Sequence, residues 1–407
     1  MNYELLEQIG NKYGESFYIL NTERFKQNFI ELQNEFRKIY PDTYIAYSYK
    51  TNYIPDLCKI VDELGGYAEI VSDMEYEITK RLDISADKII FNGPYKNKEA
   101  ITEILLRGGC VNIDSVEEFE YIKGIAKSNA DKIINIGIRV NFAIENANIS
   151  RFGIDIESDK LKKIVKESDI ISNINIREFH CHYAPRNLEN WKSRTEKMLK
   201  YSDELFEKAP AHIDLGGGLF GKMKDDMKRQ FSSYIPEYKE YAQLVATMFN
   251  KHYEEMDDKP MLFIEPGTAL VGDVMRFAAK VVGIKSIRGK YIATLLGSVY
   301  NINPTLNGKN PSLEVYHKED DNLKYYEDLD FGGYTCIESD YLYRGYNGKL
   351  AIGDYVVFDN VGSYSIVLKP PFILPNFSVI SYNGEDVKLV KRRENFEDIF
   401  RTYQMFD

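Results

Sequence analysis

From residue 44 to residue 267 the chain alternates short β-rich apolar runs with longer amphipathic stretches. The runs occupy 44–50, 66–72, 88–93, 110–115, 135–141, 176–183, 211–218 and 261–267. Their lengths suit strands, and the stretches between them place apolar residues at helical spacing. Ser115 and Glu118 form a capping-box signature, after which Val116, Phe119 and Ile122 recur on one helical face. Asp73 opens another helix directly after the run that ends at Ser72. Eight successive β/α units of this size predict a closed (β/α)8 TIM barrel. An open doubly wound sheet is the alternative. It usually has fewer strands and a phosphate loop after the first one, which is absent here.

Beyond residue 270 the helical spacing fades. Alternating β-rich runs follow at 276–287, 291–298, 312–316, 355–359, 363–368 and 377–382. Asn347-Gly348 and Asn383-Gly384 are turn signals between such runs. The pattern predicts a C-terminal antiparallel, β-barrel-like domain over 271–407. The early run 16–20 precedes the first helix, so residues 1–21 are expected to contribute a strand to that domain. The barrel then spans 22–270. No internal repeat beyond the β/α alternation is visible.

Composition narrows the class. A chain of 407 residues can bury one large barrel and a smaller domain. The net charge of −11, with basic residues dispersed, argues against a nucleic-acid polymer or an anionic membrane as partner. No apolar run is long enough to span a bilayer, and the first residues lack the features of a signal peptide. Cys58, Cys110, Cys181 and Cys336 lie far apart and show no metal-ligand spacing. They are expected to be cytosolic thiols, and no metal is expected. A soluble cytoplasmic protein is the resulting expectation.

The chemistry sits at the ends of the runs. Lys50, Ser72, Asn92, Asp114, Arg139, His182, Gly216 to Gly218 and Glu265 all fall there. Active sites of such barrels lie at the C-terminal ends of the strands, and packing needs none of these groups. A lysine buried at a strand end loses solvation, so its amine can be neutral near pH 7 and attack a carbonyl. The Gly216-Gly217-Gly218 triplet exposes backbone N–H groups and permits close approach to a phosphate. A buried carboxylate at Glu265 needs a cation or a protonated ring nitrogen. His182 offers a flat imidazole for stacking. Taken singly, each has a plainer explanation: a solvated lysine, a tight turn, a satisfied histidine. Together they describe a pyridoxal phosphate (PLP) site.

At this point the chain resembles the fold-type III PLP-dependent decarboxylases, the group that holds the diaminopimelate, ornithine and arginine decarboxylases. Their barrel is of the alanine-racemase type. The matching segments lie at 47–52, 69–75, 150–153, 180–182, 214–218, 265–267, 336–340 and 359–364, in family order over nearly the whole chain. The resemblance implies that Lys50 carries PLP covalently, Glu265 pairs with the pyridine nitrogen and His182 stacks on the ring. Arg139, Glu69 and Glu75 support the ring and the lysine. Gly216, Gly217, Gly218, Gly267 and Tyr364 line the cofactor and its phosphate. Cys336 is implied as the general acid, with Asp340 beside the substrate amine. It also implies a head-to-tail homodimer in which Cys336 and Tyr364 reach the partner's site.

Departures from the family pattern bear on the substrate. The usual Gly-Ser after the stacking histidine is Ala184-Pro185, which removes a hydroxyl and an N–H. Diaminopimelate decarboxylases carry an arginine after Glu-Pro-Gly, where this chain has Thr268. Their substrate-side arginine and tyrosine correspond to Asn303 and Asn307, and the glutamate after the cysteine to Ile337. Without those charges the far end of diaminopimelate would be left unpaired. The expected substrate is therefore another amino acid or an amino-acid conjugate, from a specialised biosynthetic pathway. Arg186 and Arg344 are candidates to meet an anionic group on it. The alternatives are a PLP-dependent racemase, which would want a second base where Cys336 stands, and a non-catalytic regulatory homologue.

Overall fold

The computed structural model describes residues 1–144, 149–318, 323–369 and 371–404. It divides into two compact units. One comprises Lys26–Phe220 and Ser233–Leu270; the other comprises Met1–Phe25, Gly221–Ser232 and Val271–Asp407. The sequence reading runs the barrel without interruption over 22–270, whereas Gly221–Ser232 groups here with the second unit. Local bonds account for this. Asn360 Nδ2 donates to Lys222 O at 2.8 Å, and Lys224 pairs with Glu314 at 2.8 Å and with Asp359 at 2.5 Å.

The first unit is the closed parallel barrel. Its strands are Thr43–Ser48, Tyr67–Ile70, Ile89–Phe91, Cys110–Ile113, Ile134–Asn141, Ile174–His180, His212–Asp214 and Met261–Ile264, and the last pairs with the first. Alternation along each strand sends every second side chain inward. Tyr44, Ala46, Tyr67, Ile90, Met261 and Phe263 fill the end of the cylinder where the strands begin. Ser48, Glu69, His180 and Asp214 face the interior where they finish.

The connecting helices start on caps written in the sequence. Ser72 accepts from Glu75 N–H at 3.2 Å to begin Asp73–Arg81, and Ser115 accepts from Glu118 N–H at 3.3 Å to begin Val116–Ser128. The expected reciprocal half of the second box is not made. The Glu118 side chain instead accepts from Asp114 N–H and pairs with the buried Lys96 at 2.8 Å.

The second unit is a mixed sheet of nine strands. Phe17–Leu20 lies at its centre, antiparallel to Met275–Ile287 and parallel to Ser378–Tyr382. Lys290–Leu295 and Lys324–Gly332 are also parallel, so the domain is not purely antiparallel. The helix Tyr3–Tyr13 packs Leu6 and Ile9 into a core with Phe17, Ile19, Tyr355 and Val357. Two local expectations are corrected. Asn347-Gly348 lies within the strand Tyr341–Leu350, and Asn347 Oδ1 accepts from Asp328 N–H at an irregular step of the ladder. Residues 363–368 form a turn rather than a strand, closed by the N–H groups of Val367 and Leu368 on Tyr364 O. Among the described residues no helix is long and apolar enough to cross a membrane.

Candidate active site

Lys50 follows the first barrel strand in a single 3-10 turn, Tyr49–Thr51. Its Nζ donates to Glu69 Oε2, the oxygen that also accepts from Ser48 Oγ at 2.6 Å. Ser48 and Glu69 are register partners on neighbouring strands, so the ladder itself sets this contact. Glu69 Oε1 accepts from Asn92 Nδ2 at 3.1 Å, and the same amide donates to Glu265 Oε1. Glu265 Oε2 lies 3.2 Å from His180 Nε2. A hydrogen-bonded line Lys50–Glu69–Asn92–Glu265–His180 thus runs through the C-terminal end of the barrel.

A lower tier supports it. Asn112 Nδ2 donates to Asn92 Oδ1 at 2.7 Å and to Glu178 Oε1 at 2.5 Å, and Glu178 Oε2 lies 3.3 Å from His212 Nδ1. Gly137 leaves room for that amide, because a Cβ there would fall 1.5 Å from Asn112 Oδ1.

Burial and charge set the protonation states. Burial pushes the pKa of Glu265 up, but His180 and then Lys50 outweigh it and hold the carboxylate far below its usual range. Asp214 moves the other way. Burial first, then the charges of Glu265 and Glu178, push its carboxyl well above the usual carboxylate range. His182 is driven well below its ordinary value, chiefly by burial, and is neutral. Glu75 is raised to about 7, again chiefly by burial, although the Val71 N–H it accepts pulls it back. For Lys50 the sequence reading allows a neutral amine, and the electrostatics of the structure favour the cation. Burial does lower its pKa, yet Glu69 and Glu265 more than compensate and the net shift is upward. The amine is therefore a cation at neutral pH, with Glu69 as its immediate proton acceptor. Its side chain remains 36% exposed, so the group can be reached.

The glycine triplet follows the seventh strand. Gly216 and Gly218 have φ of +69° and +89°, and a Cβ at Gly217 would lie 2.4 Å from Glu265 O. Both the conformation and the crowding demand glycine. Gly217 N–H donates to His182 Nδ1 at 2.9 Å, which joins the loop to the imidazole. Arg139 lies 3.8 Å from Asp114, whose Oδ1 accepts from Gly153 N–H at 3.0 Å. Gly267 stands against Thr51, and Thr268 opens the short helix Thr268–Val271. Tyr241 Oη donates to the backbone carbonyl of Arg186, whose guanidinium lies over the Phe220 ring at 5.4 Å.

The remaining predicted residues belong to the second unit. Cys336 is exposed in the turn between Lys324–Gly332 and Tyr341–Leu350. Asp340 is buried and fixes that turn, accepting from Val299 N–H at 2.7 Å, Ser298 Oγ at 3.0 Å and Thr335 Oγ1 at 2.6 Å. Asn303 and Asn307 bond to each other at 3.1 Å. Arg344 pairs with Asp330 at 3.1 Å and lies over the Tyr341 ring. Tyr364 is held at φ +64°.

Sequence reasoning gave no role to Asn92 and His180, which complete the line, or to Ser48, Asn112 and Asp214, which stand around it. The signal was present for some of them. Glu178, His180 and His182 are spaced by two, so one face of the sixth strand is polar where a buried strand is normally apolar.

This arrangement defines a TIM-barrel enzyme whose lysine, carboxylates and imidazole converge where the strands end. Residues 26–272 match the family model of the pyridoxal-dependent decarboxylases, pyridoxal binding domain, and the chain belongs to that family. It is a PLP-dependent carboxy-lyase. It is 27% identical to the diaminopimelate decarboxylase of Methanocaldococcus jannaschii, covering 98% of this chain and 92% of that protein. It is 25% identical to the diaminopimelate decarboxylase of Aquifex aeolicus, covering 97% and 93% respectively. The fold is that of the M. jannaschii enzyme's crystal structure, with a TM-score of 0.84 at 23% identity over 98% of this chain and 94% of the other. PLP is the cofactor of the family. The residues present fit it: an ionised Glu265 for a protonated ring nitrogen, a neutral flat His182, and a glycine loop that approaches closely.

Proposed function

We propose that this chain removes the α-carboxylate of an amino acid or amino-acid conjugate other than diaminopimelate, working as a head-to-tail homodimer. The observation that carries the reading is the line from Lys50 through Glu69 and Asn92 to Glu265, with the lysine protonated at one end and the ring-facing carboxylate ionised toward the other.

PLP, held by Lys50, supplies an electron sink for the pair left behind when carbon dioxide departs. Glu69 Oε2 takes the proton that Lys50 Nζ must lose before it acts as a nucleophile. Glu265 keeps the ring nitrogen protonated, and Asn92 and His180 hold that carboxylate in place. His182 would stack on the ring of the bound cofactor. Gly216 to Gly218 bind the phosphate, joined by Tyr364 of the partner subunit. Cys336 of the partner subunit delivers the proton to the substrate carbon, on a turn whose shape Asp340 maintains.

The two curated relatives compared above are named for diaminopimelate. The substitutions Thr268, Asn303, Asn307 and Ile337 support a different substrate here, because they leave the second zwitterionic end of diaminopimelate without countercharges. The test is carbon dioxide release from purified protein over a panel of amino acids and their conjugates, with meso-diaminopimelate included. Release from a panel member with little from meso-diaminopimelate is expected. Efficient turnover of meso-diaminopimelate sinks the substrate assignment.

A further inference from the structure

Arg194 lies on the helix Leu188–Leu205, behind the glycine loop, and is fully buried. Burial lowers its pKa to about 10, so it remains a cation at neutral pH. Its hydrogen bonds go to neutral oxygens. Nη1 donates to Leu215 O at 2.9 Å and Gly217 O at 2.8 Å, Nη2 donates to Pro185 O at 3.1 Å and Tyr183 O at 3.4 Å, and Nε donates to Asn190 Oδ1 at 3.2 Å. The guanidinium also lies over the Trp191 ring at 3.9 Å. A buried cation compensated by carbonyl dipoles and one ring face, with no carboxylate partner among the described residues, still gains from an anion close by.

The loop carbonyls show where that anion belongs. A trans peptide directs its N–H opposite to its C=O. Because Gly217 O turns to Arg194 and Gly218 O accepts from Trp191 Nε1 at 2.9 Å, the N–H groups of Gly218 and Leu219 are directed away from the helix. Two successive N–H groups on one side, with a cation behind them, make a concavity for a dianion. The same guanidinium ties this loop to residues 183–185, where the family's serine hydroxyl is replaced by Pro185.

We propose that Arg194 is the positioning residue of the cofactor-phosphate cradle. It aligns the Gly217–Gly218 and Gly218–Leu219 peptides and supplies positive potential through them, in place of the hydroxyl lost at 185. The proposal rests on the reading that Gly216 to Gly218 receive the PLP phosphate.

The experiment compares the affinity of the apoprotein for PLP and for pyridoxal, which lacks the phosphate, in wild type, Arg194→Met and Arg194→Lys. Wild type should strongly prefer PLP. Arg194→Met should lose about tenfold or more in PLP affinity with pyridoxal affinity unchanged, and Arg194→Lys should fall between. The 31P resonance of bound PLP should move in Arg194→Lys, which keeps the charge and loses the fork. Circular dichroism identifies a variant that does not fold, in which case Arg194→Lys alone decides. Equal losses for PLP and pyridoxal, or no loss in a folded variant, overturn the role of Arg194. Should wild type itself bind pyridoxal as tightly as PLP, it is the phosphate reading of the glycine loop that fails.

Discussion

At one end of the barrel interior Tyr44, Tyr67, Met261 and Phe263 pack around Ala46 and Ile90, with the Tyr67 and Phe263 rings edge to face at 4.8 Å. At the other end, where the barrel strands finish, stand Glu69, Asn92, His180, Asp214 and Glu265, all buried. The apolar end gains from every methylene it removes from water. The polar end is worth keeping only because each charge meets a donor, and single deletions there leave a desolvated group behind. One cylinder therefore separates stability from chemistry along its own axis, and each end should answer to a different measurement.

The sharpest break in that comparison is Lys50→Ala. It should abolish the long-wavelength absorbance of protein-bound PLP and the release of carbon dioxide while the chain still folds, at a cost of about 1–3 kcal/mol for the Glu69 carboxylate it strands. Retained absorbance and turnover would remove Lys50 from the reaction. Phe263→Ala should do the reverse, costing about 3–5 kcal/mol in denaturant unfolding with the cofactor spectrum preserved in the folded fraction. If the spectrum changes as much as the stability, the two ends are not separable.

Asn92→Leu probes the seam, since one amide serves Glu69 and Glu265. Its loss should cost about 1–3 kcal/mol for a stranded carboxylate and should also shift the pH dependence of the PLP spectrum. A stability change without a spectral one would assign Asn92 to packing alone.

The smallest effect concerns Glu75. Its folded pKa of about 7 lies above the unfolded value, so the folded state binds the extra proton between roughly pH 4.5 and 7. Its contribution is therefore fully present at acid pH and lost as pH rises toward 7. Glu75→Gln should raise the melting temperature by a few degrees at pH 8 and change it little at pH 4.5. A uniform shift at both pH values would contradict this.

The barrel was legible because eight apolar runs recur with helical spacing between them, and a parallel strand buried on both faces leaves that trace. The strands Lys324–Gly332 and Tyr341–Leu350 left none. Their polar and glycine residues, among them Asp328 at φ +53° and Gly345 at φ +75°, are accommodated by irregular pairing. Residues 363–368 alternate like a strand, but Tyr364 in a left-handed conformation turns the chain instead. In the site, strand-end groups could be read one by one. The protonated state of Lys50 could not, because it depends on Glu69 and Glu265 arriving from other strands. Asn92 was visible as a strand-end residue, whereas its two carboxylate partners follow only from closure of the cylinder.

Tyr364 has one more consequence. A bulky side chain at φ +64° is held against its own backbone preference, at a cost of about 1–3 kcal/mol. A population evolved in the laboratory for heat resistance alone should drift there to glycine or asparagine. One evolved for turnover should refuse the exchange, so the two lineages would part at this codon first.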